Sequence, residues 1–236
     1  MQSPANHFTL PREVHIWRVS LHQQQDVVAR HRMLLSSEER QRSARFHFER
    51  DRRRYTVARG SLRTILSGYI RRSPEELRFD TGRYGKPFLA GLGEAEELGF
   101  NLSHCEDLAL IAVTSGRSVG VDVEKIREMQ DLSLILNRFF AAEERELVDS
   151  FPGEERTAAF LALWVRREAA AKARGLNLSA ALSKINLPLY PLGEGICIEE
   201  PDHRTWFIQD LKLDPYHVGA VCVEGKNCSL VIREFK

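Results

Sequence analysis

The four cysteines of this 236-residue chain show no CxxC spacing. Zinc sites and disulfide frameworks use closely spaced cysteines, so this absence argues against both and fits a reducing compartment. The N-terminus also lacks the apolar core of a secretory signal. No run of about 18 apolar residues is present, which is the length that a membrane-spanning helix requires. We therefore expect a cytoplasmic protein that neither carries a signal peptide nor spans a membrane.

Lysine is absent from residues 30–72, although this segment is strongly basic. It contains 13 arginines and four acids, a local balance of +9 in a chain whose net charge is +1. Such asymmetry suggests an anionic partner for the segment. A nucleic-acid-binding protein is one alternative that the arginines leave open.

Both halves of the chain combine predicted helices with antiparallel-looking strands, and 43% of the residues are hydrophobic, enough for a sizeable core. The spacing of apolar residues, together with capping and turn signals, predicts helices at 36–46, 51–70, 73–77, 132–140, 141–150 and 154–175. Strands are predicted at 13–21, 99–104, 108–113, 117–126, 184–190, 195–200, 205–213, 217–224 and 228–235, and a loop at 83–94. The class is therefore α+β, with domains expected at 1–115 and 116–236.

A valine-rich strand, "VGVDVEK" at residues 119–125, carries two acids. Side chains at positions i and i+2 of a strand share a face, so Asp122 and Glu124 point the same way, about 6.6 Å apart along the strand. Mg²⁺ prefers oxygen ligands and commonly takes one or two carboxylates together with substrate phosphates. A metal site is one interpretation of this pair, and a solvent-facing polar side is the other.

A third acid lies on the clearest helix, in "WVRREAAAK". Trp164, Glu168 and Lys172 are four residues apart, so Glu168 and Lys172 are separated by only about 40° around the helix axis. An ordinary Glu–Lys surface pair would have the same spacing. We expect Trp164, on the same flank, to be at least partly buried, which favours a functional role for the charged pair.

Basic and polar residues of the first half are candidates for binding phosphate. Arginine binds phosphate through two parallel hydrogen bonds, and five arginines lie on candidate helices: Arg42, Arg45, Arg52, Arg53 and Arg54. Lys86 lies in the "GKP" loop, where a plain turn is the simpler interpretation.

The "NLSH" stretch places Ser103 beside His104. Adjacent strand residues face opposite sides, which argues against a nucleophile–base pair. His104 either binds phosphate or satisfies a hydrogen bond in the core.

Several motifs occur in a fixed order along the chain: "RYGKP", "FNLSH", "VGVDVEKI", "RFFAAEE" and "LWVRREAAAKARGLNL". This order resembles the 4′-phosphopantetheinyl transferases of the surfactin-synthetase-activating (Sfp) type. The pair G-[VI]-D-[VI]-E and W-x-x-[KR]-E-A-x-x-K, separated by some 40 residues, is the most specific part of the resemblance. It extends over most of the chain.

The resemblance implies transfer of 4′-phosphopantetheine from coenzyme A to a serine of an apo acyl or peptidyl carrier protein, with release of adenosine 3′,5′-bisphosphate. It implies two similar halves related by a pseudo-twofold axis, with coenzyme A in the cleft between them. The implied Mg²⁺ ligands are Asp122, Glu124 and Glu168. The implied coenzyme A contacts are Arg42, Arg54, Lys86, Ser103, His104, Asp122 and Lys172.

The chemistry of the side chains themselves agrees with these roles. Lys172 can neutralise a phosphate oxygen as the leaving group departs, and Glu168 is the candidate general base for the carrier serine. Two halves in one chain can build the cleft without a second copy, so we expect a monomer. We expect neither nucleic acid nor a membrane as a partner. A Mg²⁺-dependent pyrophosphohydrolase of coenzyme A or nucleotides is the remaining alternative.

Two further features of the sequence bear on this assignment. Arg167 stands where most members of the family have lysine, and arginine keeps the charge but cannot act as a base. The stretch 126–144 has more apolar residues than one helix face requires: Leu132, Leu134, Ile135, Leu136, Phe139 and Phe140. We expect part of it to dock the carrier protein; packing inside the protein is the alternative.

Overall fold

The computed structural model describes residues 13–82, 85–91, 97–176, 187 and 195–236. The described chain divides into two compact units. The first unit comprises the described residues of Met1–Thr81, Pro87–Gly116 and Ser229–Lys236, and the second those of Gly82–Lys86 and Arg117–Cys228. Both units contain helices and a four-stranded sheet, which confirms the α+β class. The predicted domains were continuous in sequence. In the structure, the described residues of Gly82–Lys86 belong to the second unit and Ser229–Lys236 to the first.

Ten strands and six α-helices are present in the described residues. The strands are β1 Val14–Ser20, β2 Phe79–Thr81, β3 Pro87–Leu89, β4 Leu98–Cys105, β5 Leu108–Ser115, β6 Val119–Lys125, β7 Ile196–Glu199, β8 Thr205–Asp210, β9 His217–Glu224 and β10 Leu230–Phe235. The helices are α1 Gln25–Leu34, α2 Ser37–Ala44, α3 Glu49–Ile70, α4 Leu132–Phe139, α5 Ala142–Asp149 and α6 Gly153–Arg174, with a short 3₁₀ helix at Pro74–Glu76. No described helix is both long enough and apolar enough to cross a bilayer.

Most predicted elements are present, and two predictions need comment. The loop predicted at 83–94 contains strand β3, which pairs with β2, so that prediction was wrong for residues 87–89. The local Gly and Pro signals favoured a turn, whereas the pairing depends on a strand outside the loop. The strand predicted at 184–190 lies outside the described residues, apart from Leu187.

The sheet of the first unit has the strand order β10–β1–β5–β4. Strands β4 and β5 form an antiparallel hairpin. Strand β10 runs parallel to β1 although more than 200 residues separate them in sequence. Helix α3 and the sheet share one hydrophobic core. The apolar face of α3 that packs into this core includes five buried residues: Val57, Leu62, Ile65, Leu66 and Tyr69.

The carboxylate of Glu39 joins helix α2 to helix α3. Glu39 closes a capping box with Ser36, so it satisfies a backbone N–H at the start of α2. The same carboxylate accepts hydrogen bonds from Arg59 and from Arg63, whose side chain is almost fully buried. These cations lower the pKa of Glu39 in opposition to its burial. Two arginines of the basic segment thus serve internal packing.

The sheet of the second unit is antiparallel, with the order β6–β9–β8–β7. Helix α6 packs against β6, β8 and β9, and it ends where Gly175 takes the left-handed conformation, with a φ of 63°. Leu132, Leu136 and Phe140 pack on the first half of α6, so α4 and α5 form a second cluster with it.

Strand β6 approaches α6 so closely at position 120 that only glycine, which has no Cβ atom, fits there. A Cβ atom at this position would lie 2.1 Å from the carbonyl oxygen of Ala169 and 2.3 Å from the amide nitrogen of Ala173. Both atoms belong to the helix backbone and cannot rotate away. The alanines of "EAAAKA" contribute to the same close packing, because they are short and buried.

Replacing Gly120 by alanine is expected to destabilise the protein by about 3 kcal/mol or more, since overpacking against backbone cannot be relieved by a side-chain rotation. Gly82→Ala is the matched control, because its added Cβ would find only an ordinary contact, 3.6 Å from the Lys86 carbonyl oxygen. Urea unfolding of the two variants and the wild type measures the difference. Equal stabilities for Gly120→Ala and Gly82→Ala would contradict the close approach.

Candidate active site

Asp122 projects from β6 toward α6 and is almost completely buried, with 4% of its surface exposed. The ammonium group of Lys172, on α6, donates a hydrogen bond of 2.6 Å to its Oδ1 atom. A solvent-facing polar side was one of the two interpretations of this strand, and it is wrong for Asp122. The valines at 119, 121 and 123 are also buried, so both faces of this strand are covered.

Glu168 lies one helical turn before Lys172 and is half-buried, as is Trp164. Burial raises the pKa of Glu168, and the negative charge of Asp122 raises it further, with a smaller contribution from Glu124. Lys172 opposes these effects. The alternative of an ordinary exposed Glu–Lys pair is therefore wrong, because Lys172 forms an ion pair with Asp122, whose side chain is buried.

The three acids were predicted to hold Mg²⁺, and two observations bear on that fit. The described residues contain no group of three His, Cys, Asp or Glu side chains arranged to hold a metal ion by themselves. Nevertheless, Asp122 and Glu124 are both near enough to Glu168 to raise its pKa. The donor set consists of carboxylate oxygens, which suits Mg²⁺, and this ion is commonly bound by one or two carboxylates plus substrate phosphates. The residues therefore fit a metal that a substrate helps to bind.

Arg167, adjacent to Glu168, is buried and points to α5. It forms an ion pair with Glu144 and stacks on the ring of Phe140 at 4.4 Å. Its Nε and Nη1 atoms have no hydrogen-bond partner among the described residues. Glu144 also accepts a hydrogen bond of 2.9 Å from the backbone N–H of Ala141, so it caps α5 as well. The unusual arginine thus has an internal partner that the sequence did not reveal.

The predicted phosphate-binding residues of the first unit differ in their surroundings. Arg42 is exposed on α2, lies 5.8 Å from the ring of Tyr55, and lines a cavity of about 570 Å³ together with Arg45 and Phe46. Arg54, on α3, donates a hydrogen bond of 2.8 Å to Asp107 in the β4–β5 turn. That bond lowers the pKa of Asp107.

Ser103 and His104 lie on β4 and face opposite sides, as predicted. Ser103 is buried, with 7% of its surface exposed, whereas His104 is exposed. The alternative in which His104 satisfies a hydrogen bond in the core is therefore wrong. Because His104 is exposed, its side chain is accessible to an anion.

Lys86 belongs to the second unit and is not in a plain turn exposed to water. Its Nζ atom donates hydrogen bonds to the carbonyl oxygens of Val119, at 3.0 Å, and Ala173, at 3.1 Å. Burial lowers the pKa of Lys86 to about 8. The predicted lysine is thus engaged with the backbones of β6 and α6.

Comparison with known proteins supports one family over nearly the whole chain. A model described as the 4′-phosphopantetheinyl transferase superfamily matches residues 118–222, and one described as the N-terminal part of a 4′-phosphopantetheinyl transferase matches residues 17–116. The transferase HetI of Nostoc sp. is 38% identical, over 95% of this chain and 93% of its own length. The chain belongs to the 4′-phosphopantetheinyl transferase superfamily.

Other relatives of this transferase include two from Bacillus. The enzyme named Sfp, from Bacillus subtilis, is 31% identical over 80% of this chain and 81% of its own length. The enzyme psf-1 of Bacillus pumilus is 34% identical over 80% and 78% of the two chains. The resemblance to the Sfp type is therefore confirmed, and the protein is an enzyme of the phosphopantetheinyl transferase class.

The sequence did not reveal two acids that pair with the basic residues of this transferase. Asp107 is 53 positions from Arg54, and Glu144 is 23 positions from Arg167. Neither spacing is a local helix or strand relationship, so no periodicity could predict the pairs. The available signals were weaker: Asp107 occupies the polar "CED" turn, and Glu144 stands at a helix start.

Replacing Glu144 by glutamine is expected to lower the free energy of unfolding by about 3–5 kcal/mol, because the Arg167 cation would remain buried without its counter-charge. The side-chain oxygen of glutamine can still accept the capping hydrogen bond from the Ala141 N–H, so the substitution removes the charge alone. Glu143→Gln, at an exposed position in the same turn, is expected to change stability by less than about 0.5 kcal/mol. Denaturant unfolding at pH 7 measures both, and a similar small effect for the two variants would be inconsistent with a buried ion pair.

Glu168→Gln is expected to raise stability at pH 7 in the absence of divalent cations. The folded state raises the pKa of Glu168 above its ordinary 4.5, so ionising this residue at neutral pH disfavours folding. The wild type therefore loses stability as the pH rises from 4.5 through the folded-state pKa, and glutamine removes that loss. Urea unfolding at pH 4 and pH 7 tests the sign: the advantage of glutamine should disappear at the lower pH. The same difference in unfolding free energy between Glu168→Gln and the wild type at both pH values would refute this account.

Proposed function

We propose that this transferase moves 4′-phosphopantetheine from coenzyme A to a serine hydroxyl of an apo acyl or peptidyl carrier protein and releases adenosine 3′,5′-bisphosphate. The observation that carries the proposal is the buried Asp122–Lys172 pair beside Glu168, whose pKa is raised. Acids paired with an ammonium group suit a phosphoryl centre, because they offer both metal ligands and a cation for phosphate oxygens.

Asp122, Glu124 and Glu168 are the residues that we propose to hold Mg²⁺. When bound, this ion neutralises charge on the pyrophosphate oxygens during the displacement. Repulsion among the three carboxylates supports the assignment, because a bound cation would relieve it.

Lys172 and Glu168 have separate roles in the proposed reaction. Lys172 is only partly buried, so its ammonium group can donate to a phosphate oxygen while it remains near Asp122. Glu168 accepts the proton of the carrier serine, directly or through water. A raised pKa suits this role, because a general base works best when its pKa approaches the working pH.

Coenzyme A contacts are proposed in each unit separately. In the first unit they are Arg42, Arg54, Ser103 and His104, supported by the exposure of Arg42 on a basic cavity and of His104 at the end of β4. In the second unit they are Asp122, Lys86 and Lys172. Arginine suits the phosphate groups because its planar guanidinium donates two parallel hydrogen bonds.

Helix α4 is the proposed docking surface for the carrier protein. Of the apolar residues of this region, Leu132 and Leu136 are buried, whereas Leu134 is 69% exposed, which supports the proposal. Carrier proteins are generally acidic, so the surplus positive charge of residues 30–72 supports steering of such a partner. We propose that the enzyme acts as a cytoplasmic monomer.

The proposal predicts that Asp122→Asn and Glu168→Gln each lower the transfer rate by about 100-fold or more, since each removes a charge on which the displacement depends. Purified enzyme, coenzyme A, Mg²⁺ and a panel of apo carrier proteins are incubated, and the mass of each carrier is measured. The wild type should add one phosphopantetheine group to at least one carrier. Glu199→Gln, at an exposed acid on β7, is the control and should retain full activity.

Three outcomes would contradict parts of this proposal. Full activity of both active-site variants would refute the residue assignment. Cleavage of coenzyme A without any carrier would indicate a pyrophosphohydrolase. Activity that persists in excess EDTA would exclude the role of Mg²⁺.

A further inference from the structure

Lys86 contacts two backbone carbonyl groups that regular secondary structure leaves unpaired. The first is that of Val119, at the start of β6. Among the described strands, β6 is at the edge of its sheet and pairs with β9 alone. The carbonyl of Ser118 accepts from the backbone N–H of Glu224, the last residue of β9. Carbonyl directions alternate along a strand, so that of Val119 points to the open edge. Lys86 satisfies it there, at 3.0 Å.

The second carbonyl group is that of Ala173, in the last turn of α6. The final carbonyls of a helix have no partner within the helix. Those of Ala171 and Lys172 are satisfied by the backbone N–H groups of Gly175 and Leu176. The carbonyl of Ala173 instead accepts from Lys86, at 3.1 Å. A cation at this end of a helix is also favoured by the helix dipole.

The ammonium group of Lys86 is held in a largely dry environment, despite the length and flexibility of a lysine side chain. Burial lowers its pKa to about 8, against smaller opposing effects of Cys222 and Glu224. A buried ammonium group is unfavourable unless its N–H groups are hydrogen-bonded, and the two carbonyls supply that compensation. The contact is therefore a specific one between β6 and α6.

The contact lies directly beside the catalytic residues. Along β6, Val119 is followed by Gly120, which touches the backbone of α6, and then by Asp122, which binds Lys172. Along α6, Ala173 immediately follows Lys172. A shift of β6 along α6 would thus change the distances among Asp122, Lys172 and Glu168 together.

We propose that Lys86 is a positioning residue of the transfer site: by joining Val119 to Ala173 it fixes the register of β6 against α6, and hence the spacing of Asp122 from Lys172 and Glu168. This inference rests on the proposed function for its consequence on catalysis. Its structural part is independent of that function. It assigns Lys86 a role distinct from, and additional to, a contact with coenzyme A.

The test compares Lys86→Met, which keeps the length and apolar character of the side chain, with Lys226→Met, at an exposed lysine outside the site. For Lys86→Met we expect kcat to fall by about 10-fold to 100-fold, because a displacement of about 1 Å in a catalytic group has effects of this size. A lower kcat reports the positioning role, whereas a rise in the KM for coenzyme A reports loss of the additional ligand contact proposed above. Lys226→Met should match the wild type in both constants.

Hydrogen–deuterium exchange supplies a measurement that does not require activity. In Lys86→Met, amides of residues 119–123 should exchange faster than in the wild type and in Lys226→Met. A second variant, Lys86→Gln, retains N–H donors on a shorter side chain and should lie between methionine and wild type in both kcat and exchange.

The outcomes are distinguishable. An unchanged kcat with a raised KM for coenzyme A would overturn the inference and leave Lys86 as a ligand contact. Failure of both Lys86 variants to fold would also overturn it, because Lys86 would then be a general requirement of the fold. If the wild type modifies no carrier protein, the proposed function fails, while unchanged exchange at residues 119–123 would still refute the positioning role.

Discussion

The close approach of β6 to α6 at Gly120 determines the rest of the candidate site. A side chain there would collide with the helix backbone, so the strand lies against the helix only because this position has no Cβ atom. Asp122 is two residues further along the same face and therefore also faces α6, where Lys172 pairs with it. The buried alanines of α6 are required by the same packing. One packing constraint thus explains why glycine, aspartate and small residues occur at these positions.

This packing has an electrostatic consequence. It brings Asp122 and Glu168 into a partly buried region, where Lys172 pairs with Asp122. Burial raises the pKa of Glu168, and the charges of Asp122 and, to a smaller extent, Glu124 raise it further, against the opposing charge of Lys172. Such a group of acids opposes folding slightly and attracts further positive charge. The arrangement therefore favours ligand binding over stability, which agrees with membership of the phosphopantetheinyl transferase superfamily.

Most elements of the fold were predictable from local sequence, although α1, β2 and β3 were not predicted. Periodicity and capping signals predicted α3 and α6, and the alternation in "VGVDVEK" predicted β6. Pairings between distant residues were not predictable in this way. The parallel pairing of β10 with β1 and the ion pair of Lys172 with Asp122 join segments that no period connects. For Lys172 the local pattern favoured Glu168, but the tertiary packing of β6 on α6 brought the more buried acid nearer.

The basic segment shows how a charge excess divides between folding and binding. Its charge balance of +9 suggested an anionic partner. Several of its arginines nevertheless form internal ion pairs: Arg59 and Arg63 pair with Glu39 and hold α2 on α3, and Arg54 pairs with Asp107. Helix α2, anchored in this way, presents Arg42 on its exposed side. The pairs of Glu39 with Arg59 and Arg63 therefore do not compete with the anion binding proposed for Arg42; they hold the helix that carries its guanidinium in place. An arginine fixed on an anchored helix loses less conformational freedom on binding phosphate than one on a mobile loop, so in the proposed function the buried arginines would contribute to binding without touching the ligand.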